Sequence, residues 1–152
     1  MAEFTQVTFE DISKPNRPTL GNLMPIVVYR LIRSVAMEEV LGETAGPALY
    51  AAGKSAAASL NIASLEDFAK LITDLKIGIP KVLAQTERKL TIQVDECATC
   101  SGMPNIGRPF CHFEGGLIAG AVEKITGKKA EATETKCWGL GDGTCVFEVM
   151  LF

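Results

Sequence analysis

The sequence predicts an α+β domain in which an antiparallel sheet of two hairpins carries about four packed helices. Three observations lead there. Apolar residues in the first half recur at intervals of three and four, the helical period. From Arg88 to Asp95 they alternate, which is the strand period. Two hairpin-like stretches then flank one more helical segment, the order expected of helices packed on an antiparallel sheet. A chain of 152 residues with 47% hydrophobic and 22% charged residues is large enough to bury one core.

Residues 1–21 are predicted to form an N-terminal arm, a short extended segment or strand followed by the breaker Lys14-Pro15-Asn16-Arg17-Pro18. Residues 22–152 form the domain. A first helix over 22–41 has Asn22 as cap and Pro25 in its first turn. Met24, Val27, Val28, Leu31, Ile32, Val35 and Leu41 make its apolar stripe, and Gly42 ends it. A second helix, from Thr44 or Pro47 to Asn61, is rich in alanine, so that another helix or chain can approach closely. The capping box at Ser64-Leu65-Glu66-Asp67 opens a third, with Phe68, Leu71, Ile72 and Leu75 on one face. Strands over 79–86 and 88–95 turn near Glu87-Arg88, and a loop over 97–109 follows. The fourth helix spans 110–126, is amphipathic through Phe113, Leu117, Ile118, Ala121, Val122 and Ile125, and stops at Gly127. Strands over 129–136 and 144–151 close the chain.

A net charge of −3 and a pI near 5.2 give no long-range attraction to nucleic acid or to an anionic membrane. The start, Met-Ala-Glu-Phe-Thr-Gln, lacks the basic and apolar regions of a signal peptide, which predicts a cytoplasmic protein. The apolar run 23–28 is interrupted at Arg30 and Arg33, so no membrane span is expected.

All five cysteines fall between Cys97 and Cys145, together with the only histidine, His112, and the only tryptophan, Trp138. An odd number of clustered thiols in a reducing cytosol points to metal or redox chemistry rather than disulfides. The pair Cys97-x-x-Cys100 can present two sulfurs to one ion, with two further ligands from Cys111, Cys137 and Cys145. A zinc site or an iron–sulfur cluster would suit such a set, and spacing leaves the choice among five open. Glu134 and Cys137 are three apart, so a strand must end, curl or bulge near Thr135-Lys136 for both to reach one ion. Gly139, Gly141 and Gly143 supply a loop returning Cys145 beside Cys137, and Cys111 at a helix start has its thiolate favoured by the helix dipole. His112 is expected to be peripheral and Trp138 to shield the sulfurs. No nucleophile–base set can be assembled around a lone histidine, so a non-enzyme is expected, and the glycines match no phosphate loop or dinucleotide fingerprint.

The segments Cys111-His112-Phe113-Glu114-Gly115-Gly116, Glu134-x-x-Cys137 and Gly141-Asp142-Gly143-Thr144-Cys145-Val146-Phe147 resemble the C-terminal signature of the 4-vinyl-reductase-like domain family, with weaker likeness around Leu49 to Lys54 and the first hairpin. The resemblance implies a fold like trafficking-complex subunits and the sensory domains of aromatic-responsive activators. It also implies a closed structural zinc site of Cys111, Glu134, Cys137 and Cys145. Cys97 and Cys100 are surplus to that set, as a redox pair or a second metal half-site completed by a partner. The implied function is a hydrophobic or hydrocarbon small-molecule sensor or carrier, a binding domain rather than an enzyme, acting as a homodimer and signalling through another protein. Tyr29, Tyr50, Phe113 and Leu117 are candidate pocket residues. The alternatives are a redox or electron-transfer protein using Cys97 and Cys100, an accessory subunit of a tetrapyrrole vinyl reductase, and an interaction module built on the alanine-rich helix.

Overall fold

The computed structural model describes residues 7–152; the first six residues of the expected arm, and with them the signal-peptide reading, lie outside it. In place of the expected strand or extended arm, Phe9–Ile12 form a single helical turn, α1. The reason is local. Thr8 and Asp11 make a reciprocal capping box that satisfies the orphan N–H groups at the start of the turn. Phe9 packs against the core, so the arm is not detached from the domain.

Helix α2 runs through Ile26–Arg30, a π-helical stretch Leu31–Ala36 and Met37–Leu41. It starts after Pro25, not at Asn22. Its apolar stripe does not enter the core: Leu23, Met24, Ile26, Val27, Leu31, Ile32, Val35 and Val40 are exposed, while Arg33 is buried. Periodicity locates the helix but not the face that turns inward, because a buried carboxylate claims the arginine.

A 3-10 turn, Gly42–Thr44, leads into α3 (Ala45–Ala57), and α4 (Leu65–Asp74) starts at the expected Ser64 capping box. Strands β1 (Ile79–Gln85) and β2 (Lys89–Asp95) form the first hairpin; α5 (His112–Thr126) precedes β3 (Ala130–Lys136) and β4 (Cys145–Leu151). All pairings are antiparallel and the order is β1-β2-β4-β3, so the two hairpins join through their second strands. β2 alternates as expected, burying Leu90, Ile92 and Val94. Each such side chain contributes about 1.5–3 kcal/mol.

α5 is the centre of the fold. The expectation of an amphipathic helix is not met, since Glu114 through Val122 are all buried. One side meets the sheet, where Gly115 faces the Phe147 ring, and the other meets α3, where Gly116 and Gly120 lie against the backbone at Tyr50 and Lys54. Gly53 of α3 returns the contact at Phe113. Glycine and alanine thus let two helices meet backbone to backbone. Gly127 ends α5 in the left-handed region, φ 71°.

Candidate metal centre

Five buried cysteines, none in a disulfide, gather where the ends of β2, β3 and β4 meet the start of α5. Cys97 and Cys100 lie in the turn after β2, Cys111 is the residue immediately before α5, Cys137 follows β3, and Cys145 begins β4 opposite Val94. Local devices hold each in place. The turn is closed by Ser101 N–H donating to the Cys97 carbonyl (3.0 Å). Cys137 N–H donates to Asp142 Oδ2 (3.0 Å), and Gly141 and Gly143 take φ of 90° and 71° to fold the loop back to Cys145. Register slips between Glu134 and Lys136 against β4, the bulge required to turn Glu134 and Cys137 toward one point.

Two sets of side chains can each offer four ligand atoms to one ion. One is Cys97, Cys100, Cys111 and Cys145; the other is Cys111, Glu134, Cys137 and Cys145. Within each set the ligand atoms lie within 4.8 Å of one another. The measured sulfur separations are 3.5 Å for Cys97–Cys111, 3.7 Å for Cys111–Cys145 and 3.2 Å for Cys100–Cys145. Tetrahedral zinc with bonds of about 2.3 Å spaces its sulfurs about 3.8 Å apart, so these separations are those of a ligand shell drawn slightly inward.

Glu134 supplies the clearest sign that a cation belongs here. Its Oε2 accepts from Phe110 N–H (3.1 Å) and Cys111 N–H (2.9 Å), while Oε1 is buried with no partner among the described residues. Burial raises its carboxyl to about 8, against the opposing pull of Cys111 N–H. A buried oxygen without a donor costs free energy that a metal would recover. The thiols divide for a related reason. Cys97 and Cys137 are pushed down, chiefly by accepting hydrogen bonds from Cys100, whereas Cys111 and Cys145 are pushed up, Cys100 again the leading neighbour. So many adjacent sulfurs cannot all ionise without a positive ion among them.

His112 turns toward Gly46 of α3 and belongs to neither ligand set; burial first, then Arg33 and Arg108, lowers its pKa. Trp138 is half-buried against the core. Of the four expected pocket residues, Phe113 and Leu117 line a groove of about 710 Å³ together with α1 residues Phe9 and Ile12 and with Ala52 and Ala56. Tyr50 and Tyr29 do not line it. The Tyr50 hydroxyl instead accepts from Ala132 N–H (2.9 Å), pinning α3 to β3.

Tyr29 belongs to a buried network that sequence reasoning missed. Arg33 donates to Glu114 Oε2 (2.8 Å), Thr99 and Tyr29 hydroxyls reach Oε1, and Arg30 donates to the carbonyls of Ala98 (2.7 Å) and Ser101 (2.9 Å). Burial raises the Glu114 carboxyl while Arg33 pulls it down; for Arg33, burial is outweighed by Glu114 and the guanidinium rises. Three donors face this carboxylate, so the geometry suits the ion pair. The network ties α2 to the cysteine turn on one side and to α5 on the other. Its only sequence signal is an arginine, Arg33, interrupting an apolar stripe.

Residues 90–151 match the model of the vinyl-4-reductase (V-4-R) domain. Protein MJ1642 of Methanocaldococcus jannaschii is 33% identical over 87% of this chain and 81% of its own length. The chain belongs to the vinyl-4-reductase domain family. Solved structures show how far the fold of this family extends. A vinyl-4-reductase family protein from M. jannaschii superposes with a TM-score of 0.68 at 23% identity, covering 88% of this chain and 85% of that one. The phenol-responsive sensory domain of the transcription activator PoxR, with phenol, gives 0.65 at 14% identity over 86% and 76% of the two chains. A trafficking protein particle complex subunit 3 from Naegleria fowleri, covalently bound to palmitic acid, gives 0.56 at 15% identity over 84% and 95%. The α+β architecture and its kinship with trafficking subunits are as the sequence predicts. Among the described residues of this vinyl-4-reductase domain no helix is long and apolar enough to cross a membrane.

Proposed function

We propose that this vinyl-4-reductase-type chain is a zinc-stabilised domain that binds a small hydrophobic molecule as a cytoplasmic sensor or carrier, with residues 22–152 as the binding unit. The observation that carries the ligand reading is the groove between α1, α3, α4 and α5. Its wall is Phe9, Ile12, Ala52, Ala56, Leu60, Ile72, Leu75, Ile77, Phe113 and Leu117, with the few polar groups of Thr8, Ser55 and Ser59 to orient a ligand. Family membership supports it, as do the phenol of the PoxR domain and the palmitic acid of the trafficking subunit, each in a structure of this fold.

The zinc is held by Cys111, Glu134, Cys137 and Cys145 in this reading. Four protein ligands leave no open position, so the ion supplies cross-linking between α5 and the second hairpin, and the chain's role is binding rather than catalysis. A thiol-exchange role for Cys97 and Cys100 is disfavoured by their exposure of 1% and 0%, since exchange needs an approachable sulfur.

The ligand reading is tested by native mass spectrometry of the purified protein and by titration with phenol. An organic adduct or saturable phenol binding is expected, and Ala52→Trp, which places an indole in the groove from an exposed position, should remove it with Tm unchanged. Absence of both adduct and phenol binding in the parent protein would overturn the assignment. The exposed apolar face of α2 supports a homodimer, through which a protein signalling partner would be addressed. Sedimentation velocity should return a dimer that Val27→Glu dissociates; a parent protein that is monomeric at high concentration rejects this interface.

A further inference from the structure

We infer that the cysteine cluster holds two zinc ions, bridged by the Cys111 and Cys145 thiolates, so that Cys97 and Cys100 are ligands of a second metal within the same chain. This rests on the zinc reading above and extends it to the two thiols which that reading leaves unused.

The two candidate ligand sets share Cys111 and Cys145 and nothing else. Cys97 and Cys100 lie on one flank of this pair, Glu134 and Cys137 on the other. A tetrahedral zinc takes four ligands, and the cluster provides six donors, so one ion must leave two of them unused whichever set it occupies. The unused pair would not be bystanders. Cys97 Sγ is 3.5 Å from Cys111 Sγ, and Cys100 Sγ is 3.2 Å from Cys145 Sγ, so each shared sulfur is already in contact with a thiol from the Cys97 flank. On the other flank Glu134 keeps a buried Oε1 with no partner among the described residues, which a single ion in the all-cysteine set would leave unsatisfied. Two ions satisfy both flanks, each having two terminal ligands and two shared thiolates.

Charge does not stand against it. Two zinc ions with six anionic donors leave a net charge of about −2, the same as one zinc with four. Filling the second site therefore adds no uncompensated charge to the interior. Arg33, buried on the neighbouring helix, and the start of α5 at Cys111 both place positive potential on this cluster. On loading, each S–H bond is exchanged for sulfur–zinc coordination and its proton passes to solvent; zinc stays divalent and nothing is oxidised or reduced. An iron–sulfur cluster of the two-iron type fits less well. Its irons are bridged by inorganic sulfide, and here the positions between the flanks are taken by the cysteine sulfurs of residues 111 and 145, 3.7 Å apart.

The test is metal content per folded chain after zinc saturation and desalting, for the parent protein and two double variants, together with cobalt(II) titration followed by visible absorption and EPR. Two zinc ions are expected in the parent, one in C97S/C100S and one in E134Q/C137S, with circular dichroism showing that the variants counted are folded. Cobalt should give tetrahedral thiolate absorption through two equivalents, and the EPR signal per cobalt should fall as the second enters, because thiolate bridges couple the two spins. One zinc in the parent, still one in C97S/C100S, overturns the second site and leaves the single-zinc reading intact. Two zinc ions in the parent and still two in C97S/C100S would place the second ion elsewhere and overturn it equally. No zinc in the parent, or iron with sulfide, overturns both readings. If either variant fails to fold, the parent's cobalt stoichiometry and the EPR loss decide alone.

Discussion

Cys111→Ser is expected to lose its zinc and its cooperative fold together. Cys111 belongs to both candidate ligand sets, is fully buried, and sits immediately before α5, where its own N–H holds Glu134. A serine hydroxyl does not ionise near neutral pH, so it replaces the thiolate in shape and not in charge. Structural zinc in small domains contributes about 10–16 kcal/mol to the folded state, against a total stability of about 5–15 kcal/mol for a typical domain. Losing most of that leaves the chain at or below the folding threshold at ordinary temperature. Circular dichroism melts with metal analysis should show no cooperative transition and no retained zinc, and a strong chelator should bring the parent protein to the same state. A Cys111→Ser protein that melts like the parent with zinc in place would remove this residue from the metal centre. Cys97→Ser is the contrast, expected to keep zinc and fold because the set containing Glu134 and Cys137 survives intact.

How much of this is legible in the sequence follows from the range of the forces concerned. Capping at Ser64, alternation in β2 and the stop at Gly127 can be read there because each depends on residues within one turn or one strand. The bulge at Thr135 is legible for a different reason: a residue pair three apart cannot face one point from a regular strand. What sequence does not carry is everything set by distant partners. Arg33 looks like an interruption in an apolar helix, and only the fold brings Glu114 from 81 positions away to make it the buried residue and turn the apolar stripe outward. Tyr29 and Tyr50 suit the walls of an apolar cavity by their rings, yet their hydroxyls are engaged by Glu114 and Ala132. In the metal cluster the five cysteines and Glu134 stand out by type, but their division into two overlapping sets depends on how three chain ends converge, and spacing carries no record of that.

The second large effect is expected away from the metal, where α3 crosses α5. Gly116→Ala should destabilise the domain severely, by about 3 kcal/mol or more, the upper end of the cost of overpacking a core. A Cβ there would fall inside the Tyr50 carbonyl oxygen and within 2.9 Å of Lys54 N. Gly53→Ala meets the reciprocal obstacle, the carbonyl of Phe113 and Leu117 N at 2.9 Å. These obstacles are backbone, so no rotamer change relieves them; the helices must separate, and separation withdraws Leu117 and Ala57 from the core and strains the Tyr50 bond to Ala132. Gly115→Ala tests whether sterics rather than helix composition is responsible. Its Cβ would meet the Phe147 ring at 3.4 Å, ordinary contact, and replacing a helical glycine by alanine favours the helix by about 1 kcal/mol. Urea denaturation should therefore place Gly115→Ala at or above the parent midpoint and Gly116→Ala far below it, although the two sites are neighbours on one helix. Equal midpoints for the two variants would mean that α3 and α5 can part without cost, and that the glycines of α5 do not set the distance between them.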